Sequence, residues 1–288
     1  PALNVSRPGE GDLERVLALV DVVVAESAEA DGAAPIDEAG RLSLAHRGLE
    51  GNAVWLTDHG FALLRGHDLD VAVAPESRGR GAGRALAEAA LRGAPADVTA
   101  WSHADHPAAA ALARRFGFTA TRALWVMSRE AGPVDVPAVE GVTIRGYRDS
   151  DADEVIRVNA AAFAHHPEQG SMDAANLAER MAEPWFDPQG LLVADAGDGL
   201  LAFHWTKQHS ADLGEVYVVA VDPAAQGRGL GKAVTAAGLA HLAARGVRRI
   251  ILYVESDNAP AIATYSKLGF ERTSTHVQYA RTHAPVSS

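Results

Sequence analysis

Two glycine-rich stretches have the residue types and spacing to hold a phosphate. They read Val73-Ala-Pro-Glu-Ser-Arg-Gly-Arg-Gly-Ala-Gly-Arg84 and Val221-Asp-Pro-Ala-Ala-Gln-Gly-Arg-Gly-Leu-Gly-Lys232. In each, an apolar strand end passes through a proline turn into glycines and then into a long helical pattern. Glycine lets the backbone approach a ligand closely, and a helix start offers unpaired N–H groups and the positive end of the helix dipole. Such a loop binds phosphate or pyrophosphate. It is neither the Walker loop, which needs Gly-Lys-Ser/Thr, nor the dinucleotide pattern Gly-x-Gly-x-x-Gly. One copy alone is weak evidence. Two copies at the same place in two repeats are strong. Arg78, Arg80, Arg84, Arg228 and Lys232 add positive charge beside the loops.

The copies stand roughly half the chain apart, and 288 residues suffice for two domains with a core each. A hydrophobic content of 48% with 22% charged residues is that of a globular protein. The net charge of −11 excludes nucleic acid or an anionic membrane as the main partner. No apolar run approaches the roughly 18 residues that span a bilayer. The first residues lack a basic-then-apolar signal pattern, so the expected location is cytoplasmic. There is no cysteine, which removes disulfides, thiolate metal sites and a cysteinyl acyl-enzyme. The twelve histidines show no HExxH-like spacing, and no metal is expected.

The elements that must carry the loops repeat in order. In the first domain, residues 1–129, an amphipathic helix is expected over 11–30 and a hairpin over 53–65 around Thr57-Asp-His-Gly60. A strand over 68–74 and a helix over 81–92 follow, then a strand over 97–102, a helix over 106–115 and a strand over 123–129. Residues 130–141, with two prolines and little apolar pattern, form the expected linker. The second domain, 142–288, has strands at 142–147, 191–195, 200–207, 214–221, 248–254 and 270–280. Its helices are expected at 151–164, 171–181, 228–245 and 258–268. The fold class is α/β, two tandem domains that each have a mixed, mostly antiparallel sheet flanked by helices.

The loop spacing resembles the acyl-CoA pyrophosphate loop of the GCN5-related N-acetyltransferases (GNAT). That resemblance implies acetyl-CoA as co-substrate and direct transfer of acetyl to an amine. Each domain ends in a Gly-Phe pair, Gly117-Phe118 and Gly269-Phe270. Counting back from it, Tyr265 of the second copy meets Ala113 of the first. Counting back along the strand, Glu215 meets His67. A carboxylate at the acyl tunnel can take the proton an amine must lose. In the superfamily the tyrosine of this motif faces the thioester sulfur. The second domain is therefore expected to be catalytic, through Glu215 and Tyr265, and the first catalytically inactive while still able to bind acetyl-CoA.

Further stretches narrow the resemblance: Asp31-Gly-Ala-Ala-Pro-Ile-Asp-Glu38, Trp185-Phe-Asp-Pro188, Phe203-His-Trp-Thr-Lys207, Gly214-Glu-Val-Tyr-Val218 and Leu252-Tyr-Val-Glu-Ser-Asp-Asn258. Together with the tandem layout they look like the mycothiol synthase family, which acetylates the cysteinyl amine of Cys-GlcN-Ins. By resemblance the acceptor contacts fall on Glu38, Glu168, Lys207, Glu215 and Tyr253. Acetyl-CoA contacts fall on Val219, Ala220 and Val221, on Gln226, Gly227, Arg228, Gly229, Leu230, Gly231 and Lys232, and on Asn258, Ala259, Pro260, Ala261, Ile262 and Ala263. In the first domain they fall on Val71, Ala72 and Val73, and on Gly79, Arg80, Gly81, Ala82, Gly83 and Arg84. A monomer is expected, since the repeat is an internal pseudo-dimer. Two alternatives remain open at this point: the same fold acting on another small amine or a protein N-terminus, and an acyl-CoA sensor without turnover.

Overall fold

A computed structural model describes residues 3–281, apart from the side chains of residues 167 and 168. It forms two compact units, one of residues up to Trp125 together with those from Ser274 on, the other Val126–Thr273.

In the first unit, α1 (Leu13–Asp31) buries Val16, Val20, Val23 and Val24 on one face, the spacing that 3.6 residues per turn dictates. It stops at Gly32, whose φ of 74° suits glycine at a helix C-terminus. Helix α2 (Glu38–Arg47) starts on Asp37, which accepts a hydrogen bond from the Gly40 N–H at 2.7 Å. The sequence pattern gives no sign of this helix because only Gly40 and Leu44 of it are buried. Its caps were the readable signal, Asp37 in front and Gly48 behind. Then come β1 (Ala53–Thr57), β2 (Gly60–Arg65), β3 (Asp68–Val73), α3 (Ala82–Leu91), β4 (Thr99–Ser102), α4 (Pro107–Phe116) and β5 (Phe118–Glu130).

The second unit has β6 (Thr143–Gly146), α5 (Ala152–Ala162), the short α6 (Pro167–Gly170), α7 (Ala174–Met181), β7 (Leu191–Asp195), β8 (Leu200–Gln208) and β9 (Leu213–Val221). It continues with α8 (Leu230–Ala244), β10 (Arg249–Glu255), α9 (Ala259–Lys267) and β11 (Glu271–Arg281). The order is the expected one with α6 added. Strand β8 is buried without a break from Ala202 to Lys207, because helices cover both faces of the sheet. Phe203 and Trp205 join the core with Val155, Val158 and Leu177 of α5 and α7. On the other face Gly238 of α8 lies so close to the His204 ring that no Cβ would fit.

The compact units do not divide at Arg129. Strand β5 passes from the first unit to the second after Trp125, and β11 returns to the first at Ser274. The reason is strand pairing, which the chain order does not reveal. From Val277 to Ala280, β11 pairs antiparallel with Ser102–Thr99 of β4, and Thr121 Oγ1 donates to the Gln278 carbonyl at 3.3 Å. In the second unit the Ala131 N–H reaches the Arg248 carbonyl at 2.9 Å, so the start of the expected linker is tied to that unit.

Both units contain the same opening. β3 and β4 pair in parallel only at Asp68↔Thr99 and Leu69↔Ala100, then part. β9 and β10 pair from Leu213↔Arg249 to Val216↔Leu252, then part. Past the split, the ends of β3 and β9 lead to the glycine loops.

Candidate active site

The loops take the conformation their glycines predict. Gly79 and Gly81 have φ of 75° and 90°, and Gly227 and Gly229 have 83° and 77°. Gly81 is the N-cap of α3 and Gly229 that of α8. A Cβ on Gly79, Gly227 or Gly229 would meet nothing within 4 Å, so each loop presents a bare, open side. The first N–H groups of α3 (Ala82, Gly83, Arg84) and of α8 (Leu230, Gly231, Lys232) have no helical acceptor and lie at this side. An anion fits here.

The basic side chains divide. Arg78 is paired, giving Asp31 two hydrogen bonds of 2.8 and 2.7 Å and reaching Ser27 Oγ at 3.1 Å and the Val73 carbonyl at 2.9 Å. The Arg78 hydrogen bond holds the Asp31 carboxyl below the usual carboxylate range against the opposing effect of burial. The expected phosphate-side charge of Arg78 is thus offset by Asp31, because helix α1 ends beside the loop. Arg228 donates to the Glu140 carbonyl at 3.1 Å.

In the first unit the parted strands open into a cavity of about 580 Å³. Its walls include Val71, Ala72, Val73, Gly79, Gly81, Ala82, Gly83 and Arg84 of the expected set, with Arg80 outside it. Ala113 also lines it. A methyl stands there where the second copy has the Tyr265 ring, which leaves volume but no hydroxyl. Space alone therefore does not mark the catalytic unit.

The second unit gathers chemistry at the far end of β9. Glu215 is 7% exposed, and its Oε2 lies 2.6 Å from His209 Nε2. Across the ladder it pairs with Lys207 of β8. Lys207 is equally buried, and its Nζ sits 4.9 Å from the Trp185 ring centre and 5.7 Å from that of Tyr217. The aromatic faces hold the ammonium by cation–π attraction. Trp185, Trp205 and Tyr217 are packed edge to face or tilted, with centres 5.2 to 5.9 Å apart, and Arg180 lies 5.8 Å over Tyr217.

Tyr217 is where the β8–β9 register shifts, since Trp205 pairs with Val218 and Thr206 with Val216. This bulge corrects the comparison of the two copies. In β2 and β8, Arg65 and Lys207 stand five residues after Gly60 and Ala202, the partners of Val73 and Val221. Arg65 pairs with Asp68, Lys207 with Glu215. The parallel neighbours agree: Thr99 and Ile251 each precede by seven residues the N-caps His106 and Asn258. Glu215 therefore matches Asp68 and not His67. His67 lies in the preceding turn, with Nδ1 2.6 Å from Asp97. The added residue at Tyr217 displaces a straight count by one. The first unit thus retains a carboxylate at this position, exposed and hydrogen-bonded to Thr99 Oγ1 at 3.0 Å, but not the tyrosine.

Tyr253, on β10 two residues past the Glu215 neighbour Ile251, is 47% exposed. Burial around its phenol, and then the charge on Glu215, raise its pKa. Tyr265 is on α9, its ring edge-on to Phe270 at 5.9 Å, and burial raises its pKa. Asn258 caps α9 by accepting from the Ala261 N–H at 3.2 Å, which fixes where Ala259–Ala263 present their backbone. Glu38 is the first residue of α2 in the first unit. The side chain of Glu168 lies outside the described residues. Reading the sequence missed His209, Trp185, Tyr217 and Arg180 as parts of this cluster. Trp185 and Tyr217 stood within quoted motifs, whereas His209 had no signal, since only the turn brings it back to Glu215. Among the described residues no group of three or more His, Asp or Glu is arranged to hold a metal ion. No helix among them is long and apolar enough to cross a membrane.

The model of the "Acetyltransferase (GNAT) family" matches residues 51–118 and 160–270. The chain is 56% identical to the mycothiol acetyltransferase of a Nocardioides species, over 92% of this chain and 98% of that protein. It is 49% identical to that of Actinosynnema mirum, over 90% and 93%. Among solved structures it is similar in fold to a GCN5-related N-acetyltransferase from Sphaerobacter thermophilus, with TM-score 0.69, 21% identity and coverage of 99% and 98%. A tandem GNAT protein from the clavulanic acid biosynthesis pathway gives TM-score 0.71, 20% identity and coverage of 98% and 100%.

Proposed function

Because the chain belongs to the mycothiol acetyltransferase family of GNAT enzymes, we propose that it moves acetyl from acetyl-CoA to the cysteinyl amine of Cys-GlcN-Ins, giving mycothiol and CoA. Acetyl-CoA supplies an activated acetyl thioester, and its pyrophosphate suits the open glycine loop at the start of α8. The second unit is the catalytic one in this reading. The first binds acetyl-CoA in its cavity without turnover.

The observation that carries the proposal is Glu215, buried at the opposite end of β9 from the loop that follows Val221. Six residues of strand span about 20 Å, the reach of an extended pantetheine arm. The parted β9 and β10 leave unpaired backbone groups on Tyr217–Val221 to meet that arm. Glu215 takes a proton from the acceptor's amine, which frees the nitrogen lone pair for attack. Tyr265 keeps its proton at neutral pH, since burial raises a pKa that already starts near 10. A thiol near 8.5 is the stronger acid, so Tyr265 serves the leaving sulfur by donating a hydrogen bond. Glu168, Lys207 and Tyr253 contact the acceptor in this reading. Lys207 and the carboxylates share hydrogen bonds with its hydroxyls, and Trp185 and Tyr217 shape the wall around Lys207.

The test is an acetylation assay with Cys-GlcN-Ins beside cysteine, glucosamine, a polyamine and a peptide N-terminus. The expected result is a kcat/KM for Cys-GlcN-Ins at least about a hundredfold above the others, since buried polar groups built for an acceptor are left unpaired by a truncated one. Equal turnover of free cysteine would refute the acceptor. CoA binding without turnover of any amine would favour a sensor.

A further inference from the structure

The carboxylate of Glu215 is anchored by one oxygen. His209 follows the last residue of β8, and its Nε2 meets Oε2 of Glu215 at 2.6 Å, the imidazole one-third exposed and the carboxylate side chain 9% exposed. An ionised carboxylate only accepts hydrogen bonds, so Nε2 carries the hydrogen. The turn that presents the imidazole is itself tied down. The N–H groups of His209 and Ser210 both reach the Leu213 carbonyl, at 2.9 and 3.3 Å. Ser210 Oγ accepts from the N–H groups of Asp212 and Leu213 at 3.2 and 3.1 Å, and Gln208 Nε2 donates to the Ser210 carbonyl at 3.0 Å.

Three groups surround the Glu215 carboxylate: His209 from the turn, Lys207 from β8 and Tyr253 from β10. A carboxylate free to rotate loses the alignment with an acceptor that proton transfer needs.

We propose that His209 is a positioning residue for the base: it holds Oε2 and so turns Oε1 toward the acceptor's amine. This rests on Glu215 being the base. In the reaction the amine's N–H proton passes to Oε1 and the nitrogen lone pair forms the new N–C bond. The C–S bond breaks, its electron pair stays on sulfur, and the thiolate is protonated from solvent. Glu215 returns its proton to water.

Two variants test the role. His209→Gln keeps an N–H donor near the place of Nε2, and His209→Ala removes it. His209→Ala is expected to lower kcat about ten- to hundredfold, the effect of a misplaced catalytic group. Its KM for acetyl-CoA should be unchanged. His209→Gln should restore kcat to within about threefold. Added to Glu215→Gln, His209→Ala should have no further effect. Thermal melts and acetyl-CoA titrations establish that each variant is folded. A His209→Ala enzyme with kcat near wild type, while Glu215→Gln is severely slowed, would overturn the positioning role and leave the base in place. Equal slowing of both His209 variants would also overturn it. A fully active Glu215→Gln would instead remove the base itself.

Discussion

Gly229→Ala separates two things a glycine does in the second loop. The φ of 77° at Gly229 lies in the left-handed region, where a Cβ costs roughly 1–2 kcal/mol. No atom lies within 4 Å of the added methyl, so no steric clash adds to this strain. In a protein of this size the strain lowers Tm by roughly 2–8 °C. The effect on ligand is separate. The methyl stands on the bare side of the loop and keeps a pyrophosphate oxygen from the N–H groups at the start of α8. One charge-assisted hydrogen bond is worth about 1.5–3 kcal/mol, so Kd for acetyl-CoA should rise about tenfold to a hundredfold or more. Gly246 supplies the control. Its φ is 86°, its Cβ would also meet nothing within 4 Å, and it follows the other end of α8. Gly246→Ala carries the same strain without touching the loop. Thermal melts and calorimetric titration with acetyl-CoA, run on both variants, give the two numbers. Equal stability losses with a wild-type Kd for Gly229→Ala would refute the loop as the pyrophosphate site. Equal losses of affinity in both variants would show that strain, and not the methyl, weakens binding. The matching change in the first unit, Gly81→Ala, should weaken that unit's acetyl-CoA binding by a similar factor and leave turnover within about twofold. A folded but inactive Gly81→Ala would mean that the first unit takes part in the reaction.

Glu215→Gln should lower kcat by about two to four orders of magnitude while acetyl-CoA affinity persists, as read by steady-state CoA release and calorimetry; near wild-type kcat across pH would remove the base. Tyr265→Phe should slow the chemical step without loss of stability, since only the hydroxyl goes, and unchanged single-turnover rates would make Tyr265 a packing residue. Asp70 is 5% exposed on β3, and burial raises its pKa to about 7 despite the Arg65 guanidinium 3.5 Å away. A carboxyl raised in the fold contributes stability that is complete below its unfolded value near 4 and is lost as pH rises to about 7. Asp70→Asn should therefore match the wild type at pH 4 and exceed it at pH 8, by at most about 4 kcal/mol, and parallel stability curves in urea at the two pH values would refute this.

Much of the fold was legible because its signals are local. The valines of α1 and the caps of α4 and α9 lie within a few residues of what they control. Each glycine loop carries its own turn chemistry. Helix α2 escaped because its face toward the core is only Gly40 and Leu44, too little for an apolar stripe. Of the proposed site, comparing the copies singled out Glu215 and Tyr265, and the count that paired Glu215 with His67 was off by the bulged Tyr217.

The chain alone thus determined that there are two pyrophosphate-type loops, which copy carries the tyrosine and which family the second half resembles. Residue identity and short spacing suffice for these. Tertiary structure decided what depends on partners far along the chain. Strand register places Glu215 opposite Lys207 and gives Asp68 the same place in the first unit. The end of α1 pairs Arg78 of the first loop with Asp31, 47 residues earlier. β11 finds its pairing beside β4, and the β8–β9 turn returns His209 to Glu215. A side chain's chemical type is written in the sequence, but its hydrogen-bond partner is set by which strands and helices pack together.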